Sequence, residues 1–210
     1  MHEGDVSSKL GIHGSSIEEE ELLTYQFVKL LQLTGTRLHI QQISSPQAME
    51  IVSHAKSQGL PITCEVSPHH LVFTDEAVQS FESRYKLAPP LRPKKEVQKI
   101  KDFVIEGHVD AIATCHTPNQ QHLADLPFEE APFGGIGLET ALAATLTERD
   151  IPLQHVLSAM SWVPAEIAGI STSHGGSLTQ GRPGNLAVID ESVEWNPIGQ
   201  EMASKSANSP

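Results

Sequence analysis

The stretch RLHIQQISSPQAMEIVSHAKSQGLPITCEV, residues 37–66, decides the fold class because it reads as a strand, a helix and a second strand. Arg37–Ile43 is short and bounded, which predicts a strand, and Ile62–Val66, which follows Pro61, is an apolar segment expected of a buried strand. Between them, Ser45-Pro46 is an N-cap with proline in the first turn, and Gly59 ends the helix. Two strands joined by a crossover helix predict a parallel pair.

The alternation of strand and helix continues on both sides of this unit. Upstream, residues 15–34 carry apolar side chains at helical intervals after a serine cap, and Gly35 closes that helix. Downstream, residues 94–106 repeat the helical pattern and lead into a buried strand, Val109–Thr114. Further helices are predicted between residues 138 and 170. We therefore predict an α/β fold with a parallel sheet and crossover helices.

Composition excludes several classes of function. The chain has 210 residues and a formal net charge of −12, so no basic stripe is available to neutralise the phosphates of a nucleic acid. No apolar stretch approaches the ~20 residues that a membrane-spanning helix needs, and the first residues do not resemble a signal peptide. Two cysteines, Cys64 and Cys115, are too few for a disulfide framework. We expect a cytoplasmic protein that binds neither nucleic acid nor membrane.

Chemistry-bearing residues follow the predicted strands, where active groups gather in parallel α/β folds. Gln42 follows the first strand, His69 and His70 follow the second, and Cys115 follows the last. Histidine and cysteine are both good zinc ligands, so His70 and Cys115 are candidate metal ligands. From the residues alone, two alternatives stay open: His70 as a hydrogen-bonded structural histidine, and Cys115 as a small buried apolar residue.

Five ordered motifs of the chain resemble those of the dihydroorotases, a family of cyclic amidohydrolases. The motifs are LHI with SS (38–45), GLPITCEVSPHHL (59–71), KLAPPLR (86–92), GHVDAIATCHTP (107–118) and APFGGIGLET (131–140). The resemblance implies a TIM-type (β/α)8 barrel with a zinc site at the carboxyl ends of its strands. It implies that this chain is the C-terminal half, with barrel strands five to eight in residues 1–170. Part of a small β composite domain would follow in 171–200, and a disordered tail in 201–210.

On the metal side of the site, the resemblance implies that three positions carry the chemistry. His70 matches a metal-binding histidine, whereas Gln42 stands where the family has another histidine ligand. Cys115 replaces the aspartate that binds metal and moves the proton during catalysis. A neutral glutamine is a weak ligand, and a zinc-bound thiolate is a poor substitute for a carboxylate that must accept and return a proton.

On the substrate side, the resemblance implies four further positions. Ala88 stands where the family presents an asparagine to the substrate, and Asn119 replaces a substrate-binding histidine. Phe133 and Gly134 match a loop that contacts the substrate through its backbone. Ala88 is the mildest of these departures, because related cyclic-ureide hydrolases such as allantoinases also carry small residues there.

These replacements lead to three hypotheses about function. The first is a catalytically impaired or inactive dihydroorotase homologue, a pseudoenzyme that could assemble with aspartate transcarbamoylase. The second is a zinc-dependent dihydroorotase, or a related allantoinase- or hydantoinase-type enzyme, completed by another chain. The third is the truncated product of a split gene. If the chain is active, the resemblance implies dihydroorotate and N-carbamoyl-L-aspartate, of pyrimidine biosynthesis, as its substrates. The open edges of a half-barrel also predict a homo-oligomer or a complementing chain.

Overall fold

A parallel sheet of three short strands lies at the centre of the chain. The computed structural model describes residues 1–174, 178–198, 201–206 and 208–210. In these ranges the strands are β1 (Leu38–Ile40), β2 (Ile62–Val66) and β3 (Ala111–Ile112), in the spatial order β1-β2-β3. Both neighbouring pairs are parallel. The predicted α/β class with a parallel sheet is therefore confirmed.

Helices connect and flank the strands in the described ranges. They are α1 (Asp5–Leu10), α2 (Ile17–Thr34), α3 (Pro46–Ser57), α4 (Pro68–Val72), α5 (Lys94–Ile105), α6 (Gln121–Ala124), α7 (Ala141–Thr147), α8 (Leu153–Leu157) and α9 (Val163–Ile167). Two short 3₁₀ segments, Asp75–Ser80 and Ser83–Tyr85, follow α4, and a π-helical turn, Ser158–Trp162, joins α8 to α9.

The ends of α2 and α3 follow the capping signals of the sequence. The Ser16 side chain caps α2 by accepting a hydrogen bond from the Glu18 amide, and Gly35 ends the helix with left-handed backbone at φ 64°. The Ser45 side chain accepts from the amide of Ala48 and so caps α3. Side-chain caps satisfy backbone amides that have no partner inside the helix, typically stabilising it by about 1 kcal/mol.

The main core lies between the sheet and the helices that cover one of its faces. Helix α3 contributes Met49 and Val52, β2 contributes Cys64 and Val66, and α5 contributes Ile100, all at most 1% exposed. Burial of one large aliphatic side chain stabilises a fold by about 1.5–3 kcal/mol. This packing fixes the positions of the strand ends at which the predicted site residues lie.

The segment Lys86–Arg92 does not join the sheet, and β2 pairs directly with β3. The described residues therefore hold three paired strands, whereas the resemblance led us to expect four. Pro89 and Pro90 lack the amide hydrogens that a strand ladder needs. The segment instead buries Leu87 and Leu91 in a second apolar cluster that includes Phe128.

The last part of the chain contains the predicted β segment, 171–200, and the predicted tail, 201–210. No strand is present in the described residues 178–198, and residues 175–177 and 199–200 of the predicted β segment lie outside the described part. In the tail, for which we expected disorder, Ser206, Asn208 and Ser209 are buried. Within the described ranges, none of the helices combines the length and apolarity needed to cross a bilayer.

Candidate functional site

The carboxyl ends of the strands carry the predicted site residues. Gln42 lies two residues beyond β1, His69 and His70 lie in α4 shortly after β2, and Cys115 follows β3. Gln42 and Cys115 have left-handed backbone, with φ of 54° and 47°. Residues other than glycine rarely adopt this conformation, and such strain concentrates at functional sites. Backbone strain of that kind is therefore present at both positions.

The imidazole of His70 forms hydrogen bonds through both of its ring nitrogens and is only 4% exposed. Its Nε2 lies 2.9 Å from the carbonyl oxygen of Pro89, and its Nδ1 lies 2.7 Å from the hydroxyl of Ser67. Because a carbonyl only accepts, Nε2 carries the hydrogen, and Nδ1 accepts from the Ser67 hydroxyl. Burial lowers the pKa of His70, in keeping with this neutral form. No lone pair of this ring is left for a metal ion.

The sequence predicted a metal-binding role for His70 but none for the neighbouring His69. Its side chain is 4% exposed, and its Nδ1 has no hydrogen-bond partner among the described residues. Burial, together with the neighbouring His70, lowers the pKa of His69 to about 4. A buried imidazole nitrogen without a partner is the kind of group that could bind a ligand. The sequence His-His alone does not show which of the two rings has hydrogen-bond partners at both nitrogens.

Cys115 holds a protonated thiol at neutral pH. Burial raises the pKa of Cys115 to about 11, a shift that Glu65 increases and a hydrogen bond with Ser67 opposes. The thiolate, not the thiol, is the strong nucleophile and metal ligand. A cysteine in this environment therefore lacks the activation seen in reactive or zinc-binding cysteines.

The zinc ion that the resemblance implies does not fit the residues present. The described ranges contain no group of three or more His, Cys, Asp or Glu side chains placed to hold a metal ion. Gln42 is a neutral, weak ligand, His70 uses both nitrogens within the chain, and Cys115 is a thiol. Structural and catalytic zinc sites in proteins need at least three such donors.

Phe133 and Gly134 belong to the loop that the resemblance associates with substrate contact. This loop pairs with the segment that follows β3. Backbone atoms of His116 and Gly135 form an isolated parallel bridge, in which the amide of Thr117 donates to the Gly135 carbonyl over 2.8 Å. The ring Nδ1 of His116 accepts from the amides of Gly137 and Leu138, at 3.3 and 3.2 Å. His116 therefore shapes the loop rather than facing a metal.

Close approach of the two segments explains the glycines of this loop. Gly134 has φ 126°, and a Cβ at this position would collide with the side chain of Thr117. A Cβ at Gly137 would collide with the carbonyl oxygen of Thr114. Only glycine fits both places. Phe133, the other residue predicted here, is 52% exposed, and Ala88 is exposed.

Asn119, predicted to bind substrate, is in contact with the end of the chain. Its side-chain amide donates to the carbonyl of Phe133 over 3.3 Å. Its backbone amide lies 3.4 Å from Oδ1 of Asn208, and its carbonyl accepts from the hydroxyl of Ser206 over 2.7 Å. The predicted substrate-binding side of the site is therefore partly covered by Ser206 and Asn208.

A largely buried ionic network lies beside the site, and no motif of the sequence predicted it. The carboxylate of Glu20 accepts hydrogen bonds from the amides of Ser44 and Ser45, at 2.7 and 2.8 Å, and from the guanidinium of Arg92 at 3.1 Å. Arg92 is 2% exposed and also donates to the Ser44 hydroxyl. The network joins α2, the loop after β1 and the segment Lys86–Arg92.

The whole of the chain is similar to about half of each of several dihydroorotases. A dihydroorotase of Citrifermentans bemidjiense is 37% identical over 213 residues, which take in 100% of this chain and 50% of that protein. Dihydroorotases of Streptomyces coelicolor and Solibacter usitatus are 37% identical over 214 residues, again over 100% of this chain. These two matches take in 50% and 49% of the respective relatives. No family model matches the chain.

Solved structures share the fold at lower identity. An L-hydantoinase (dihydropyrimidinase) from Arthrobacter aurescens superposes with a TM-score of 0.73 and 24% identity, over 77% of this chain and 37% of that chain. A dihydropyrimidinase from Brevibacillus agri superposes with a TM-score of 0.73 and 21% identity, over 80% of this chain and 39% of that one. The α/β fold with its parallel sheet thus matches part of the hydantoinase and dihydropyrimidinase fold. The chain belongs to the dihydroorotase-like cyclic amidohydrolases and spans about half the length of the curated relatives it matches.

Proposed function

We propose that this chain is a non-catalytic dihydroorotase-like protein that keeps the scaffold of the enzyme without its metal-dependent hydrolysis. The observation that carries the proposal is the hydrogen bonding of His70, whose two ring nitrogens pair with the Ser67 hydroxyl and the Pro89 carbonyl. His70 is the one predicted metal-side residue that matches the family pattern, and this geometry gives it a structural role.

The chemistry of amide hydrolysis supports the same conclusion. Opening a cyclic amide needs an activated water and a group that takes its proton and returns it to the leaving nitrogen. Cys115 occupies the position where the resemblance places that group, but a thiol with a pKa of about 11 is a poor base at neutral pH. Gln42 has no titratable group. Loss of a general base alone typically lowers the rate by about 10²–10⁴-fold.

The finer architecture belongs to the same proposal. We place residues 1–170 in part of a (β/α)8 barrel, and residues 171–200 in part of a small β composite domain. The solved relatives superpose on this chain with only 37–39% of their own length, which supports a partial barrel. From the resemblance to dihydroorotases we keep the cytoplasm as the proposed location and aspartate transcarbamoylase as a proposed assembly partner.

Metal analysis and a dihydroorotate hydrolysis assay test the proposal together. The purified chain is expected to contain no stoichiometric zinc and to show no turnover, with the Citrifermentans bemidjiense dihydroorotase as the active reference. Cys115→Asp alone is expected to leave the chain inactive, because Gln42 and Asn119 remain unsuited to metal and substrate. Stoichiometric zinc accompanied by hydrolysis would overturn the proposal.

A second candidate is a working cyclic amidohydrolase completed by another chain. The strained backbone at Gln42 and Cys115, with φ of 54° and 47°, favours it, because such strain is costly to keep without a use. In this case dihydroorotate hydrolysis would appear when the chain is mixed with a polypeptide that carries the metal ligands it lacks. Turnover that depends on both polypeptides would favour this second function.

A further inference from the structure

The side chain of Asn208 fills a narrow cleft between two segments of the fold. Its amide nitrogen donates to the carbonyls of Thr117 and Gly134, at 3.3 and 3.0 Å. Its Oδ1 accepts from the backbone amide of Asn119 over 3.4 Å, and the residue is 5% exposed. The backbone carbonyl of Asn208 accepts from the amide of Ile136 over 3.0 Å. The four partners Thr117, Asn119, Gly134 and Ile136 form what we call the carboxamide cleft.

The cleft is complementary to a primary carboxamide. The carbonyls of Thr117 and Gly134 accept and the amide of Asn119 donates, whereas a –CO–NH2 group supplies two N–H donors and one carbonyl acceptor. The cleft groups are backbone atoms, so the pairing of His116 with Gly135 holds them in place. An ester or a carboxylate has no N–H donor and would leave both carbonyls without a partner. The cleft therefore favours the carboxamide group.

Hydrogen bonds also hold the start of the tail segment, the name we give to the described residues 203–206 and 208–210. The Glu139 carboxylate accepts from the amides of Ala203 and Ser204, at 3.0 and 3.1 Å. The described part of the segment contains no helix or strand. Because single hydrogen bonds add little net stability in water, a segment held in this way can open without unfolding the rest of the chain.

Gly135 makes room for the other end of the tail segment. A Cβ at this position would lie 2.8 Å from the ring of Pro210, which is closer than real Cβ atoms come to a neighbouring atom. Gly135 does not have left-handed backbone, unlike Gly134 with its φ of 126°, so its own conformation would tolerate a side chain. The close approach of the proline ring, rather than backbone geometry, thus requires glycine at this position.

We propose that the carboxamide cleft is a binding site for compounds with a carbamoyl or primary carboxamide group, and that Asn208 occupies it as an internal competitor. The tail segment leaves before such a compound binds, so the apparent affinity falls as the fraction of chains with a closed cleft rises. This inference goes beyond the proposed function, because the cleft consists of backbone groups and none of the metal-side residues takes part in it.

Ligand-observed NMR titration of the full chain tests the competition. The probe is N-carbamoylglycine, and its matched control is N-acetylglycine, which has the same charge and carries a methyl group in place of the NH2. The variant Asn208→Ala keeps every backbone group of the cleft and removes the internal carboxamide. Its affinity for N-carbamoylglycine is expected to be about tenfold or more above that of the unaltered chain. N-acetylglycine is expected to bind weakly to both, because it gives the two carbonyls no donor.

The control variant is Ser209→Ala, whose lost hydroxyl bonds to the neighbouring Pro210 carbonyl, and it is expected to bind like the unaltered chain. Circular dichroism checks that both variants keep the fold. Equal affinity of Asn208→Ala and the unaltered chain for N-carbamoylglycine, or no binding by either, would contradict the proposal. So would equal affinity of Asn208→Ala for the two compounds, since the cleft would then not recognise the NH2 group. Hydrolysis of dihydroorotate by the chain would change the proposed function and leave this comparison unaffected.

Discussion

The imidazole of His70 joins two distant parts of the site by hydrogen bonds. Ser67 lies at the end of β2, whereas Pro89 lies in the segment Lys86–Arg92, and the ring between them is nearly inaccessible to solvent. Removal of such a ring takes the hydrogen-bond donor from the buried Pro89 carbonyl and the acceptor from the buried Ser67 hydroxyl. Each such group costs about 1–3 kcal/mol. A structural role for His70 therefore has a measurable consequence.

His70→Ala is expected to lower the free energy of unfolding by about 2–4 kcal/mol, from lost hydrogen bonds and a cavity. Urea unfolding measures the loss. His122→Ala, at an exposed position, is the control and is expected to change stability by less than about 0.5 kcal/mol. A metal-binding role would instead make the unaltered chain sensitive to a chelator. Equal unfolding curves with and without EDTA are expected, and a chelator-dependent loss would contradict the structural role.

The buried His69 makes stability depend on pH. Its pKa is about 4 in the folded chain, below the ordinary value of 6.5, because burial disfavours the charged ring. Between these values the unfolded chain binds a proton that the folded chain does not. The stabilisation is therefore complete above pH 6.5 and is lost as the pH falls towards 4, by about 3 kcal/mol for this ring. Burial lowers the pKa of His70 as well, which acts in the same direction.

Urea unfolding at pH 7.5, 6 and 5 measures this dependence. Stability is expected to fall with decreasing pH, and His69→Gln is expected to reduce the slope. His122→Gln, which removes an exposed histidine, is expected to keep the slope of the unaltered chain. Asp75, whose pKa is raised by burial, contributes in the opposite direction at acid pH. An unchanged slope in His69→Gln would show that this ring does not titrate as its burial requires.

At the scale of elements, hydrogen bonds join the end of the chain to the loop around Gly134. The side-chain amide of Asn208 donates to the carbonyls of Thr117 and Gly134, at 3.3 and 3.0 Å. Its backbone carbonyl accepts from the amide of Ile136 over 3.0 Å. A single asparagine thus bonds to both segments that the resemblance associates with substrate. The tail would have to leave before a small molecule could reach these backbone groups.

Asn208→Ala is expected to detach the tail from the loop, because the three side-chain hydrogen bonds that join Asn208 to Thr117, Asn119 and Gly134 are lost. Hydrogen exchange measures the effect, and the amides of Asn119 and Ile136 are expected to exchange about tenfold faster. Ser209→Ala is the control, since the hydroxyl of Ser209 donates to the neighbouring Pro210 carbonyl and, among the described residues, makes no hydrogen bond to the loop. If exchange at both amides is the same in Asn208→Ala and in the unaltered chain, the tail does not hold the loop.

At the scale of the whole molecule, the chain has an open side. The core between the sheet and α3 is closed, but in the described part of the chain one edge of β1 is unpaired, and α2 exposes an apolar stripe formed by Leu22, Leu23, Phe27, Leu30 and Leu33. Small single domains seldom expose a continuous apolar surface of this kind. The isolated chain is therefore expected to behave differently from a full-length relative in any measurement of accessible apolar surface.

Binding of the dye ANS, compared at equal mass, is expected to be several-fold higher for this chain than for the Citrifermentans bemidjiense dihydroorotase. The variant Leu30→Glu, Leu33→Glu is expected to lower the fluorescence, because it interrupts the stripe. Leu186→Glu is expected to have little effect. Equal fluorescence from the unaltered chain and the double variant would mean that the dye binds elsewhere.

Local structure and the relationship to dihydroorotases could be predicted from the order of the residues alone. The caps at Ser16 and Ser45, the stop at Gly35 and the strand Ile62–Val66 could be predicted, because each depends on residues within a few positions along the chain. Strands β1 and β3 are shorter than predicted, because the length of a strand depends on the neighbouring strand with which it pairs.

The contacts of the candidate site residues, in contrast, depend on how distant parts of the chain pack together. His69 and His70 are adjacent and alike in sequence, but the Pro89 carbonyl that engages His70 lies 19 residues away, and Asn208 meets Asn119 across 89 residues. The open side of α2 is also a property of packing, because periodicity marks apolar faces without saying which of them is covered. Local propensity acts over one or two helical turns, whereas partners for buried polar groups and apolar faces are supplied by the fold as a whole.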